Sequence, residues 1–362
     1  MTDTTTLPPQ PTDADQPARS GIEIRNLYKI FGPHPERWIK HVQEGMTKEE
    51  LNDRHDHVLG LRDISLDLAP GEISVIMGLS GSGKSTLIRH INGLIAPTAG
   101  QILYEGRDVV AMSTSDLRTF RRTKTAMVFQ KFALLPHRTV LENTLYGLDI
   151  RHIPRDQAEP VARKWIDRVG LSGFEANYPS QLSGGMQQRV GLARALANDA
   201  DILLMDEAFS ALDPLIRMDM QKVLLELQEE LRKTIVFITH DLDEALRLGD
   251  SIAILRDGAL EQTGTGQDIV LRPANDYIAE FVREVNRGKV IRAERLARPL
   301  APDEPPPRLR VEGRRVIELV ARDMAQMGET HALVTNRKGA EIGVIEASTI
   351  LSAMVTPAES LS

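Results

Sequence analysis

The stretch that most narrows what this chain can fold into is GLSGSGKST, Gly78 to Thr86. It follows an apolar, β-rich run, EISVIM, and precedes TLIRHINGL, where the apolar spacing turns helical. Strand, glycine turn and helix in that order match the phosphate-cradling pattern G-x-x-x-x-G-K-[ST] in its proper context. The glycines let the N–H groups of Gly78, Leu79, Ser80, Gly81, Ser82 and Gly83 turn inward around phosphate oxygens. The helix that begins by Thr86 adds its positive dipole. Lys84 is then expected at the β- and γ-phosphates of a nucleotide, and the Ser85 hydroxyl on Mg²⁺. A flexible Gly-Ser turn that happens to hold a lysine is the plainer reading, and it leaves the flanking strand and helix unexplained.

Three further apolar runs, TAMVFQ, DILLMDE and TIVFITHD, read with EISVIMG as strands of a mostly buried parallel sheet. The last two are continuous rather than alternating, as expected where helices cover both faces. ILLMDE delivers Asp206 and Glu207 to the carboxyl edge of such a sheet, where ligands of open α/β folds bind. Asp206 suits the task of holding Mg²⁺, and Glu207 that of orienting or deprotonating an attacking water. A second glycine pair opens LSGGMQQRVGLARAL at Leu182, ahead of an amphipathic helix pattern. Ser183 can cap that helix, which leaves N–H groups around Gly184 and Gly185 free to meet a γ-phosphate.

Around this centre the chain divides into segments. Residues 1–20, rich in Pro, Thr and Asp, read as a disordered leader. The run IEIRNLYKIF alternates as a strand, and a polar, His-containing insertion follows at about 33–57, with a capping-box spacing from Thr47 to Glu50. A helical region spans about 131–185, and the main domain is expected to close near 286. Residues 287–307, with RPLAPDEPPP, read as a linker, and 308–362 as a small strand–helix–strand–turn–strand–helix tail. The net charge of −7 provides no field for nucleic acid. The chain has no cysteine, so disulfides, thiolate metal sites and a cysteine nucleophile are excluded. No apolar run approaches the roughly 18 residues a membrane span needs.

Taken together, these motifs resemble the ATP-binding subunit of an ABC transporter across about residues 22–285. The resemblance implies a P-loop α/β fold with an N-terminal antiparallel part, a helical subdomain, and ATP and Mg²⁺ as cofactors. It implies that Gln130 in MVFQ senses Mg²⁺ and the attacking water, and that His240 in FITHD contacts the γ-phosphate and helps position Glu207. Phe31 falls where the family stacks adenine and suits the place better than Tyr28, although an aromatic at a strand end is usually core. The signature LSGGMQ, with Ser183, Gly184, Gly185 and Gln187, is implied to close over the P-loop of a second copy, with Asp213 across that interface. Arg189 and Arg194 read as structural. A head-to-tail homodimer with two composite sites follows.

Finer likeness points to the importers of glycine betaine, proline betaine and choline, through the insertion GPHPERWIKHVQEGMTKEEL and through MVFQKFALLPH and LLMDEAFSALDPLIR. It implies membrane permease subunits that dock near Gln130, a substrate-binding protein, and a place at the cytoplasmic face of the cell membrane. A soluble ABC ATPase outside transport, and an importer ATPase for another small solute such as an amino acid, are the alternatives. His34, His41, His55 and His57 in or beside the insertion read as solvated side chains rather than metal ligands. Arg283, Arg287, Lys289, Arg292 and Arg295 read as a solvated charged helix. The tail resembles a single CBS motif.

Overall fold

The computed structural model describes residues 21–301, 305–336 and 338–355. The expected leader lies outside them, as does the end of the tail. Strand β1 (Ile22–Phe31) leads through helices α1 (Ile39–Gln43) and α2 (Lys48–His55) to β2 (Val58–Leu68), antiparallel to β1. Strand β3 (Ile73–Met77) runs into α3 (Lys84–Ile91). Strands β4 (Ala99–Tyr104) and β5 (Arg107–Asp108) then complete a four-stranded antiparallel sheet in the order β2-β1-β4-β5. Helix α4 (Thr114–Thr123) precedes β6 (Thr125–Phe129), and three helices follow it: α5 (Val140–Ile150), α6 (Arg155–Arg168) and α7 (Gly184–Ala197).

The chain returns to the sheet as β7 (Ile202–Asp206), α8 (Pro214–Leu231), β8 (Thr234–Thr239), α9 (Leu242–Leu248), β9 (Ser251–Arg256) and β10 (Ala259–Gly264). These strands build a six-stranded sheet in the order β10-β9-β3-β8-β7-β6, parallel except for β10 at one edge. Every residue of β8 is buried. Ile235 and Phe237 face the core shared with α5 to α9, while Val236 and Ile238 face the core shared with α3 and the antiparallel sheet. Alternate residues thus serve opposite faces, which is why the strand reads as one continuous apolar run. Register aligns Phe129 with Asp206, Asp206 with Ile238, and Met77 with Thr239. The residues that follow these strands therefore leave the sheet in one layer.

Beyond the sheet come α10 (Gly266–Leu271), α11 (Asp276–Phe281) and α12 (Ala293–Leu296). The tail then runs β11 (Leu309–Glu312), α13 (Ile317–Met327), β12 (His331–Thr335), β13 (Glu341–Glu346) and α14 (Ala347–Val355), the element order the sequence suggests. Two expectations need correction here. The start of the linker is packed structure, because Ile291 and Ala293 are fully buried in the tail core and Arg298 bridges to Val344. Leu271 of α10 packs on that core, and Arg295 pairs with Asp268 at 3.1 Å, so the segment fastens the tail to the main domain. Nor do the five basic residues form one solvated helix: Arg287 is buried in a short 3-10 turn and Arg283 pairs with Glu280.

Of the insertion histidines, His34 and His41 are exposed, as expected of solvated side chains, whereas His55 is half-buried and His57 is buried. Among the described residues no cluster suits a metal. Trp38 gathers the rings of His41, His55 and His57 around itself at 5.7, 3.9 and 5.6 Å, and His57 is buried. An indole offers these rings more contact than water does, so a stretch that reads as polar folds around its one tryptophan.

Candidate nucleotide site

The P-loop fits its surroundings only because it lacks side chains at set places. Gly78 has φ 149°, and a Cβ there would overlap the carbonyl oxygen of Leu255. Gly83 has φ 100°, and its Cβ would come within 2.7 Å of the Gly60 carbonyl oxygen. Both positions combine a left-handed backbone with close approach, so only glycine serves. Gly258 donates its N–H to the Ser82 carbonyl at 3.1 Å, which ties the β9–β10 turn to the back of the loop. The hydroxyl of Ser82 is buried without a hydrogen-bond partner.

Lys84 is 5% exposed, and its ammonium donates to the carbonyls of Gly78 (2.7 Å) and Leu79 (3.0 Å). Burial lowers its pKa, while the charges of Glu207 and Asp206 oppose that shift. The Ser85 hydroxyl donates to Asp206 Oδ1 at 3.0 Å. Burial raises the pKa of Asp206, and this hydrogen bond works against the rise.

Glu207 sits at the centre, in a left-handed backbone conformation with φ 46°. A non-glycine residue holds that conformation only where its surroundings fix it, and here its N–H donates to Ile238 while its carbonyl accepts from the Ser210 hydroxyl. One carboxylate oxygen lies 3.9 Å from Lys84 Nζ. The other accepts from the Gln130 amide at 3.1 Å and lies 3.4 Å from His240 Nδ1. Gln130 also donates to Ser210 at 3.2 Å. Lys84, Gln130 and His240, which leave three different strands, thus meet on one carboxylate.

The structure exposes Phe31 (38%) and buries Tyr28 (7%). A Cβ on Gly60 would lie 2.6 Å from the Phe31 ring, and the Gly60 carbonyl abuts Gly83, so the ring stands one glycine away from the P-loop. The second glycine loop is built differently. Ser183 accepts from Met186 N and caps α7, and Gln187 donates to the carbonyls of Pro179 and Leu182. Gln187 therefore braces its own loop, and none of these contacts reaches the P-loop. Asp213 stands exposed at the start of α8 with its side chain outside the cap. Arg189 donates to the Val169 carbonyl, and Arg194 to the carbonyls of Phe132 and Ala133, which keeps both in structural roles.

Sequence reading missed Ser210, whose place three residues after Glu207 in SALD was the available signal. It also missed Gly60 and Gly258, which carry no motif of their own. Beside Gln130 a groove of about 390 Å³ opens, lined by Phe129, Leu135, Tyr146 and Ile150 with Arg121 and Arg122 at its rim.

The oxygen donors at Ser85 and Asp206 suit a hard cation, but among the described residues no set of three acidic or imidazole ligands could hold one alone. They fit an ion that arrives on the phosphates of a nucleotide. The glycine-only cradle and the unpaired Ser82 hydroxyl fit those phosphates.

Residues 61–210 match the ABC transporter family. The chain is 53% identical over 277 residues to the glycine betaine/proline betaine transport ATP-binding protein of Escherichia coli, covering 76% of this chain and 69% of that one. It is 43% identical over 331 residues to the trimethylamine N-oxide transport ATP-binding protein of Pelagibacter ubique, covering 91% and 96%. A solved ATP-binding cassette, dimeric in a post-hydrolysis state with ADP and Pi, superposes with a TM-score of 0.58 at 32% identity, covering 68% of this chain and 98% of that one.

Proposed function

The chain belongs to the glycine betaine/proline betaine family of ABC-transporter ATP-binding subunits, and from that premise we propose how it turns ATP hydrolysis into the import of a small, fully substituted amine. The observation that carries the mechanism is the meeting of Lys84, Gln130 and His240 on the Glu207 carboxylate, beside the Ser85–Asp206 pair.

The P-loop N–H groups and Lys84 bind the β- and γ-phosphates, and Phe31 stacks on the base. Ser85 and Asp206, with Gln130, would hold Mg²⁺, which would supply charge neutralisation. Glu207 orients a water for in-line attack and takes up its proton. Its fixed backbone and its hydrogen bond from Gln130 set the direction of that carboxylate. His240 lies close enough to Glu207 to hold it while contacting the γ-phosphate.

Subunits of this family work with membrane permease subunits, and the solved cassette is a dimer. In the reading proposed here Ser183, Gly184 and Gly185 close over the nucleotide of a second copy, with Asp213 at the same interface. The groove beside Gln130 receives the permease at the cytoplasmic face of the membrane, and its exposed Phe129, Tyr146 and Ile150 support this. No residue of this chain contacts cargo in this scheme, so the cargo reading rests on the relatives. Glycine betaine, proline betaine and trimethylamine N-oxide all carry a fully substituted nitrogen, and choline shares it.

The test is uptake of labelled glycine betaine, choline and trimethylamine N-oxide in native cells whose only change is Glu207→Gln, at low and high osmolality. Loss of one uptake activity is the expected result. Unchanged uptake of all three would overturn the cargo.

A further inference from the structure

We infer that His57 positions Phe31 for the nucleotide base, so that the insertion between β1 and β2 acts as a clamp on the base side of the site. This rests on the reading of Phe31 as the base platform.

The clamp is built from the end of the insertion. Helix α2 stops at Asp56, whose left-handed φ of 55° turns the next residue inward. His57 is 4% exposed. Its ring spans two carbonyl oxygens, with Nδ1 2.5 Å from His55 and Nε2 2.7 Å from Pro33. The first belongs to the insertion, and the second to the turn that follows Phe31. Gly32 lies against the ring: it has φ 139°, and a Cβ there would overlap the imidazole. Phe31 itself pairs across the sheet with Val58, the neighbour of His57.

The insertion is in turn anchored. Val42 and Leu51 are fully buried with Tyr28, Ile30 and Leu59, and Trp38 packs over His55 and His57. The Phe31–Pro33 turn is therefore tied at both sides to a rigid support. A platform that is already ordered costs less entropy when a base stacks on it. Release of the turn should weaken base binding and leave the phosphate site, on the far side of Gly60, as it was.

Calorimetric titration of the full chain with ADP, GDP and pyrophosphate separates these parts, and none of the three is hydrolysed at the γ-phosphate. Phe31→Ala should weaken ADP about tenfold by loss of stacking. His57→Ala should weaken ADP about three- to tenfold by loss of pre-ordering. Both should leave pyrophosphate affinity unchanged. Gly32→Ala, which forces a methyl group against the imidazole, should reproduce the His57→Ala result by a separate route. His57→Gln should recover part of the loss, because its amide can donate to Pro33. If ADP and pyrophosphate weaken together in His57→Ala and Gly32→Ala, or neither weakens while Phe31→Ala loses ADP, the inference fails and the Phe31 reading stands. If Phe31→Ala binds ADP normally, the platform reading fails and this inference with it.

Discussion

The two glycine loops share a composition and differ in where they are closed. In the P-loop the missing side chains make room for the chain itself, since Gly78 abuts Leu255 and Gly83 abuts Gly60. In the signature loop a Cβ on Gly184 would meet only one atom of Phe132, at 3.9 Å, and one on Gly185 would press to 2.6 Å of the end of the Ile216 side chain rather than against backbone. One loop is packed into its own fold, while the other turns its free backbone outward. The difference fits the proposal that each loop supplies half of a site, with the halves coming from different copies.

The largest effect should come from giving each loop a methyl group. Gly78→Ala should destabilise the fold by about 3 kcal/mol or more and abolish ADP binding, because a backbone carbonyl stands in the way. Gly184→Ala should change stability by no more than about 0.5 kcal/mol, since the site is open. Thermal melting of both variants checks the pair, and equal losses would break the comparison. Next comes chemistry: Glu207→Gln should lower ATP turnover by about 10²–10⁴-fold and trap an ATP-bound dimer, seen by size exclusion. Normal turnover would remove Glu207 from its role.

The helices behind the loops differ too. Helix α3 buries His90, whose Nδ1 faces the Thr86 carbonyl at 2.7 Å and whose pKa is lowered by burial to about 4. The unfolded chain binds that proton near pH 6.5, so the neutral ring's contribution is complete above pH 6.5 and is lost as pH falls from 6.5 towards 4. The loss amounts to at most about 3 kcal/mol. Helix α7 carries no such group. Hydrogen exchange at pH 7 and pH 4.5 should therefore show α3 loosening ahead of α7. The smallest loss expected of a disrupted contact is that of Ser183→Ala, which removes the cap from Met186 N and should cost about 1 kcal/mol by melting temperature.

The legibility of the site follows the same contrast. Residues whose work is local were readable: the P-loop, the strand that ends in Asp206 and Glu207, and the cap at Ser183 each sit in a few consecutive residues. What escaped depends on contacts far along the chain. Gly60 matters through Gly83, Gly258 through Ser82, and His57 through Pro33. His55 and His57 read as solvated because their partner, Trp38, meets them only when α1 and α2 fold together. The start of the expected linker is rich in Arg and Lys, which conceals how fully Ile291 and Ala293 are buried. Strand β9, between β3 and β10 in the sheet, was not singled out, although Ile252 to Leu255 form a buried apolar run.

The most direct test of the central claim mixes two inactive variants, both in a Glu207→Gln background that prevents turnover. One carries Lys84→Ala in the P-loop. The other carries Gly184→Asp, which places a carboxylate in the open loop, where it would repel a γ-phosphate. If each loop serves the other copy, a mixed dimer holds one intact site, made of the second variant's P-loop and the first variant's signature. Labelled ATP retained after rapid desalting should then approach one per mixed dimer, with none retained by either variant alone. Retention that stays at zero in the mixture would contradict the account, because it would mean that each chain needs both loops of its own.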